Sequence, residues 1–147
     1  MSFDVFNAIR KCSKDEHISE AMVLLFERML YATAQTQFHK VGTEDPAYLG
    51  GMWQTQPVGK TYGYLAYKTE GQVRVMVASN YCDVTTNYKT ACAAATIVAL
   101  NHLCWWLNNN NFLEESAKVS SLFYRIKGAC FTKKSGLDTD ALYSIID

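Results

Sequence analysis

The run TACAAATIVALNHLCWWL, residues 90–107, is the longest apolar segment in the chain, and its only polar residues are Thr90, Thr96, Asn101 and His102. It is rich in Ala and Leu and has no Gly or Pro, which suits a helix; the length corresponds to about 27 Å. Asn80, Asp83 and Asn87 before it, and Asn108 to Asn111 after it, supply a start and a stop. At 100° per residue, Cys92, Ala95, Ala99, Leu103 and Trp106 share one side, and Ala94, Ile97, Asn101 and Cys104 the other. Both sides are mostly apolar, so other elements are expected to cover this helix nearly all round. The length also approaches what a bilayer span needs. Asn101 and His102 would then lie in hydrocarbon, the five alanines give little transfer energy, and Lys89 is the one positive charge close to either end. A buried core helix, residues 87–107 with its approach, is the better reading, and no membrane role is expected.

The rest of the chain divides around that helix. Residues 1–41 read as helical: Phe3, Val5, Phe6 and Ile9 form a short face, and Ser13 with Glu16 forms a capping box. Ile18, Ala21, Met22, Leu25, Met29 and Ala32 then keep the i, i+3, i+4, i+7 spacing of a five-turn amphipathic helix. Across residues 48–85 the period shortens. Pro57-Val58-Gly59-Lys60 reads as a turn, and the aromatic run TYGYLAYK and the alternation of Val73, Val75 and Val77 read as strands. Thr69-Glu70-Gly71 has the length of a hairpin loop. The expectation is an antiparallel meander over residues 51–56, 61–68 and 72–79, with a possible edge strand at residues 81–85. Residues 112–147 supply C-terminal helices, one ended by Gly128 and a last one capped by Asp138 or Thr139. The predicted class is α+β, a single domain whose small antiparallel sheet packs on a central helix.

Fourteen basic and fourteen acidic residues leave no net charge. That argues against a nucleic-acid binder, which carries a basic excess, and against an acidic mimic of DNA. The tyrosines and Trp53 have few basic neighbours beyond Lys60, Lys68 and Arg74, so they read as core and not as a base-stacking face. Five cysteines, 12, 82, 92, 104 and 130, form no CxxC pair and suggest reduced thiols in a cytoplasm. Met1 to Lys11 alternates apolar with polar residues, which does not suit a signal peptide.

Catalytic patterns are scarce. His102 and Cys104 stand two apart, so on a helix they diverge by about 200° and cannot form a nucleophile–base pair. His17 and His39 have no ligand at a metal-binding spacing, and Gly50-Gly51 precedes a strand where a phosphate loop would open a helix. No catalytic, cofactor-binding or metal residue is assigned, and no cofactor is expected. Asn80, Asp83 and Asn101 are the one polar cluster on which an alternative function, small-molecule binding or catalysis, would rest. Membership in a larger assembly is a third possibility.

Three segments resemble the ArdB/KlcA antirestriction family carried by plasmids and other mobile elements. Tyr48-Leu49-Gly50-Gly51-Met52-Trp53 is similar to its Tyr-x-Gly-Gly-x-Trp, followed by Tyr62-Gly63-Tyr64-Leu65 in its Gly-aromatic strand. Ala91 to Ala95, Val98 and Ala99-Leu100-Asn101-His102-Leu103 resemble its Ala-rich segment ending Ala-Leu-Asn-x-Leu. Ala141-Leu142-Tyr143-Ser144-Ile145-Ile146-Asp147 is similar to its Ile-x-x-x-Ile-Asp ending. A Phe-x-x-x-Phe-Gly element near the family's N-terminus has no clear counterpart, and Lys134-Ser135-Gly136-Leu137-Asp138 stands where the family has His-Pro-Glu. The resemblance implies a non-enzymatic α+β protein that relieves type I restriction-modification of incoming DNA through a protein partner, without imitating DNA. It carries over no individual contact residue.

Overall fold

The computed structural model describes residues 5–10 and 16–147. Helices α1 (Val5–Arg10) and α2 (Glu16–Gln37) come first, followed by β1 (Phe38–His39), β2 (Trp53–Val58), β3 (Tyr62–Tyr67), β4 (Gln72–Val77) and β5 (Cys82–Asn87). Helices α3 (Tyr88–Asn109), α4 (Leu113–Cys130) and α5 (Thr139–Ile146) complete the chain. Phe3, Cys12 and the expected cap Ser13 lie outside the described residues, as do the side chains of Glu16, His17 and Ile18.

The central helix α3 is longer than expected by two residues at each end. Asn87 caps its start, its Oδ1 accepting the Thr90 N–H at 2.9 Å. Asn111, at φ +66°, turns the chain out of it, and the Phe112 N–H returns to the Leu107 carbonyl at 2.9 Å. By length and composition α3 is apolar enough to cross a membrane, but its first ten residues after Lys89 are almost wholly enclosed by α2, α4, α5 and β3. The last two turns are not: His102, Trp105, Trp106 and Asn108 are exposed, because α4 folds back along only one side. All-round coverage therefore holds for the first half alone.

The strands form two antiparallel sheets, not one meander. β2 pairs with β3, Trp53 opposite Tyr67 and Val58 opposite Tyr62. A separate sheet has the order β1-β4-β5, with Phe38 opposite Val75 and Val75 opposite Val84. Thr69-Glu70-Gly71 is thus a crossing between sheets and not a hairpin loop. The edge of β3 where a third strand would pair is occupied by α3. Thr96 Oγ1 accepts the Leu65 N–H at 3.0 Å, and its hydroxyl lies 3.2 Å from the Leu65 carbonyl and 2.9 Å from that of Cys92. Because Leu65 turns both main-chain groups toward Thr96, its partner Thr55 turns away from β3, and by the antiparallel alternation so does Pro57. Pro57, expected in a turn, lies inside β2 where a missing N–H breaks no ladder bond. Gly63 opposite it is required for close approach, since a Cβ there would sit 2.7 Å from the Gln56 carbonyl oxygen.

One hydrophobic cluster joins α1 through α5 and both sheets. On α2 the buried positions are Met22, Val23, Phe26, Leu30, Thr33 and Ala34, while Ala21 and Ala32 are exposed. The face is turned by about one residue from the expected stripe, because residues 21–26 are all apolar and the local period does not fix its direction. Helix α4 continues through Gly128, which is exposed, and buries Val119, Leu122, Ile126 and Cys130. Asp138 caps α5 as expected, its Oδ1 accepting the Ala141 N–H at 3.1 Å, and Leu142 and Ile145 dock in the core.

Candidate functional site

The Tyr-Leu-Gly-Gly-Met-Trp segment leads from the long loop after β1 into β2. Both of its aromatic ends are buried, and the Trp53 Nε1–H donates to the Tyr48 hydroxyl oxygen at 2.9 Å. Around them close Tyr67, with its ring 4.8 Å from Tyr48 and 5.0 Å from Trp53, and Tyr31. Burial holds the Tyr67 phenol well above its ordinary range, with the Cys92 thiol and Tyr88 adding to the effect. Between the anchored ends Gly50 and Gly51 take φ of +109° and +144°, values that side-chain-bearing residues rarely adopt. Neither glycine is needed for space, so the pair serves the turn and not a close approach. The result is a loop with its ends fixed that presents Leu49, 85% exposed, and Met52, 78% exposed. From Pro46 to Gly59 the chain has no charged residue.

The polar cluster expected near the start of α3 is dispersed. Asn80 is used internally: its Nδ2 donates to the carbonyls of Ser144 at 3.2 Å and Ile145 at 3.1 Å, and its Oδ1 accepts the Cys82 N–H. Asp83 makes a bidentate pair with Arg74, at 2.9 Å to Nε and 2.7 Å to Nη2, while Nη1 holds the Thr43 carbonyl. Hydrogen bonding to Arg74 keeps the Asp83 carboxyl below its ordinary range and raises the guanidinium correspondingly. Asn101, on a helix expected to be covered nearly all round, is only half-buried and shares a cleft with Asn80 but not with Asp83.

His102 and Cys104 lie on different faces of α3, the histidine exposed and the cysteine half-buried, so they form no dyad. The His39 Nδ1 lies 3.0 Å from the Glu44 carbonyl oxygen. Among the described residues no group of three or more His, Cys, Asp or Glu is placed to hold a metal. Cys82, Cys92 and Cys130 are free thiols, and burial pushes Cys92 and Cys130 up to about 12.

These features define an α+β protein in which a central helix is packed among other helices and two small antiparallel sheets, with a fixed surface loop that presents two exposed apolar side chains. Searches of protein-family models and of curated proteins give no match to this chain.

Proposed function

We propose that the protein relieves type I restriction-modification of incoming plasmid or phage DNA, acting in the cytoplasm as a non-catalytic binder of a protein partner in that machinery. The observation that carries this reading is the Gly-Gly loop, one of the three segments that resemble the ArdB/KlcA antirestriction proteins. Its two exposed side chains are large and apolar, the flanking sequence from Pro46 to Gly59 is uncharged, and its ends are fixed by a buried aromatic cluster. Interface centres are depleted in charge, and a loop already held in shape loses little conformational freedom on binding. Leu49 and Met52 are therefore the contact residues of this proposal. Zero net charge supports a mechanism other than DNA mimicry, because a duplex mimic must reproduce about one negative charge per 1.7 Å of axis.

The test is the plating efficiency of unmodified phage on a host with an active type I system. Expression of the protein should raise plating, and the Leu49→Ser/Met52→Ser variant should not. Unchanged restriction across several such systems would remove the proposal. Full activity of the double variant would move the contact elsewhere on the surface.

A further inference from the structure

Helices α3 and α4 fold back on each other, and an open cleft of about 320 Å³ runs along the outer face of the pair. Its size falls within the range for small-molecule sites, about 300–1,000 Å³. On one side α3 contributes Asn101, Trp105 and Asn108, at i, i+4 and i+7; on the other α4 contributes Ser116, Ser120 and Tyr124, at i, i+4 and i+8. All six are half-buried or exposed, so each can be reached from solvent. The Ser116 hydroxyl donates to the Cys104 carbonyl oxygen at 3.0 Å and fixes the register of the two sides.

The lining restricts what can occupy it. It carries no charged side chain among the described residues. Its polar groups are amides and hydroxyls, which both donate and accept, and Asn101, Asn108 and Ser120 spend none of that capacity on a side-chain bond among the described residues. Ser116 gives up its proton to the Cys104 carbonyl but keeps its lone pairs. Trp105 is 60% exposed and Tyr124 65% exposed, and neither belongs to the hydrophobic cluster that holds the fold together. The polar groups are also spread out, since Asn101 and Asn108 stand about 10.5 Å apart along α3, and Ser116 and Ser120 about 6 Å apart along α4.

We propose that this cleft binds a neutral disaccharide. A sugar ring is uncharged, carries hydroxyls around its rim that both donate and accept, and presents C–H bonds on its faces, which the negative face of an indole or phenol ring attracts. Trp105 and Tyr124 supply those rings, and the asparagines and serines meet the hydroxyls. Two linked sugar rings span the separation of Asn101 and Asn108, which a single nucleobase does not. A charged ligand finds no counter-charge here, and a purely apolar one leaves the amides facing hydrocarbon; both pay for desolvation without compensation.

Tryptophan fluorescence and titration calorimetry of the full chain with maltose, cellobiose, lactose and diacetylchitobiose test this. At least one disaccharide should shift the emission saturably and raise the melting temperature when present at about tenfold excess over a millimolar Kd. The matching monosaccharide, which reaches only one asparagine, should bind about tenfold more weakly. Trp105→Ala should abolish the calorimetric signal and Asn108→Ala should weaken it about tenfold, while both keep the parent's circular dichroism and melting temperature because the positions are exposed. Leu49→Ser/Met52→Ser, on the Gly-Gly loop, should bind as the parent does. No response to any of the four disaccharides, undiminished binding in the folded Trp105→Ala variant, or adenosine or uridine binding as tightly as the best disaccharide would overturn the proposal. So would sizing chromatography in which Trp105→Ala splits a dimer, since a second copy would then cover the cleft.

Discussion

Replacing Thr96 by valine isolates the bond that joins the central helix to β3. The two side chains have nearly the same shape, so the change removes a hydroxyl without opening a cavity. Leu65 is fully buried, and its N–H has the Thr96 oxygen as its partner at 3.0 Å. A buried donor left without an acceptor costs about 1–3 kcal/mol, and the new methyl group offsets only part of this. The expected loss is about 2 kcal/mol. With about 2.1 cal/mol/K of unfolding entropy per residue, a chain of 147 residues should then melt about 6 °C lower. Thr96→Ser keeps the acceptor and removes one methyl group, a loss of about 1 kcal/mol. Urea unfolding followed by far-UV circular dichroism separates the two, provided the denaturant slope stays constant. The order parent, serine, valine is expected. A valine variant as stable as the parent, or more stable than the serine variant, would refute the account of β3 being closed by a helix side chain.

Leu49→Ser/Met52→Ser should leave stability within about 0.5 kcal/mol, since both side chains are exposed, so a loss of restriction relief in that variant reports contact and not unfolding. Gly51→Ala should cost about 1–2 kcal/mol because the φ of +144° is strained for alanine, and calorimetric melting at or above the parent's would contradict that. Gly63→Ala should cost about 1–3 kcal/mol by forcing a Cβ against the Gln56 carbonyl, with reduced strand signal in the circular dichroism spectrum. Alkaline pH provides an independent check. The Cys92 and Cys130 thiols ionise near 9 when unfolded but only near about 12 when folded, so the native state holds their protons longer. Stability should be unaffected by them below pH 9 and should fall as pH rises from 9 toward 12; a flat melting temperature over that window would show the thiols are not buried.

The parts of the fold legible in the sequence are those decided within one turn or one segment. The Asn87 and Asp138 caps and the apolar run of α3 need no knowledge of distant residues, and each appears where its chemistry placed it. Strand pairing is different. Alternation marks residues 72–77 as a strand but does not say that Phe38 and His39 will take one of its edges, or that Thr96 will take the edge of β3. The buried face of α2 differs by about one residue from the sequence stripe because residues 21–26 are apolar on every side, and only the packed neighbours choose among them. For the loop, the glycine pair signals either a turn or a close backbone approach, and only the packed structure chooses the turn. The exposure of Leu49 and Met52 depends on which aromatic rings fold beneath them, a tertiary fact. The cleft shared by Asn80 and Asn101 is less legible still, because the two lie on different elements with no spacing to connect them.

Pro57 on the outward side of β2 has a consequence for how the molecule behaves in company. Among the described residues no strand pairs with the outer edge of β2, and an open strand edge is a template on which another chain can add itself. Proline withholds a donor at the point where such an incoming strand would need one. The ribbon can thus carry an uncharged stretch at the surface while resisting strand-by-strand aggregation, which lets recognition depend on side chains and keeps the backbone from binding indiscriminately.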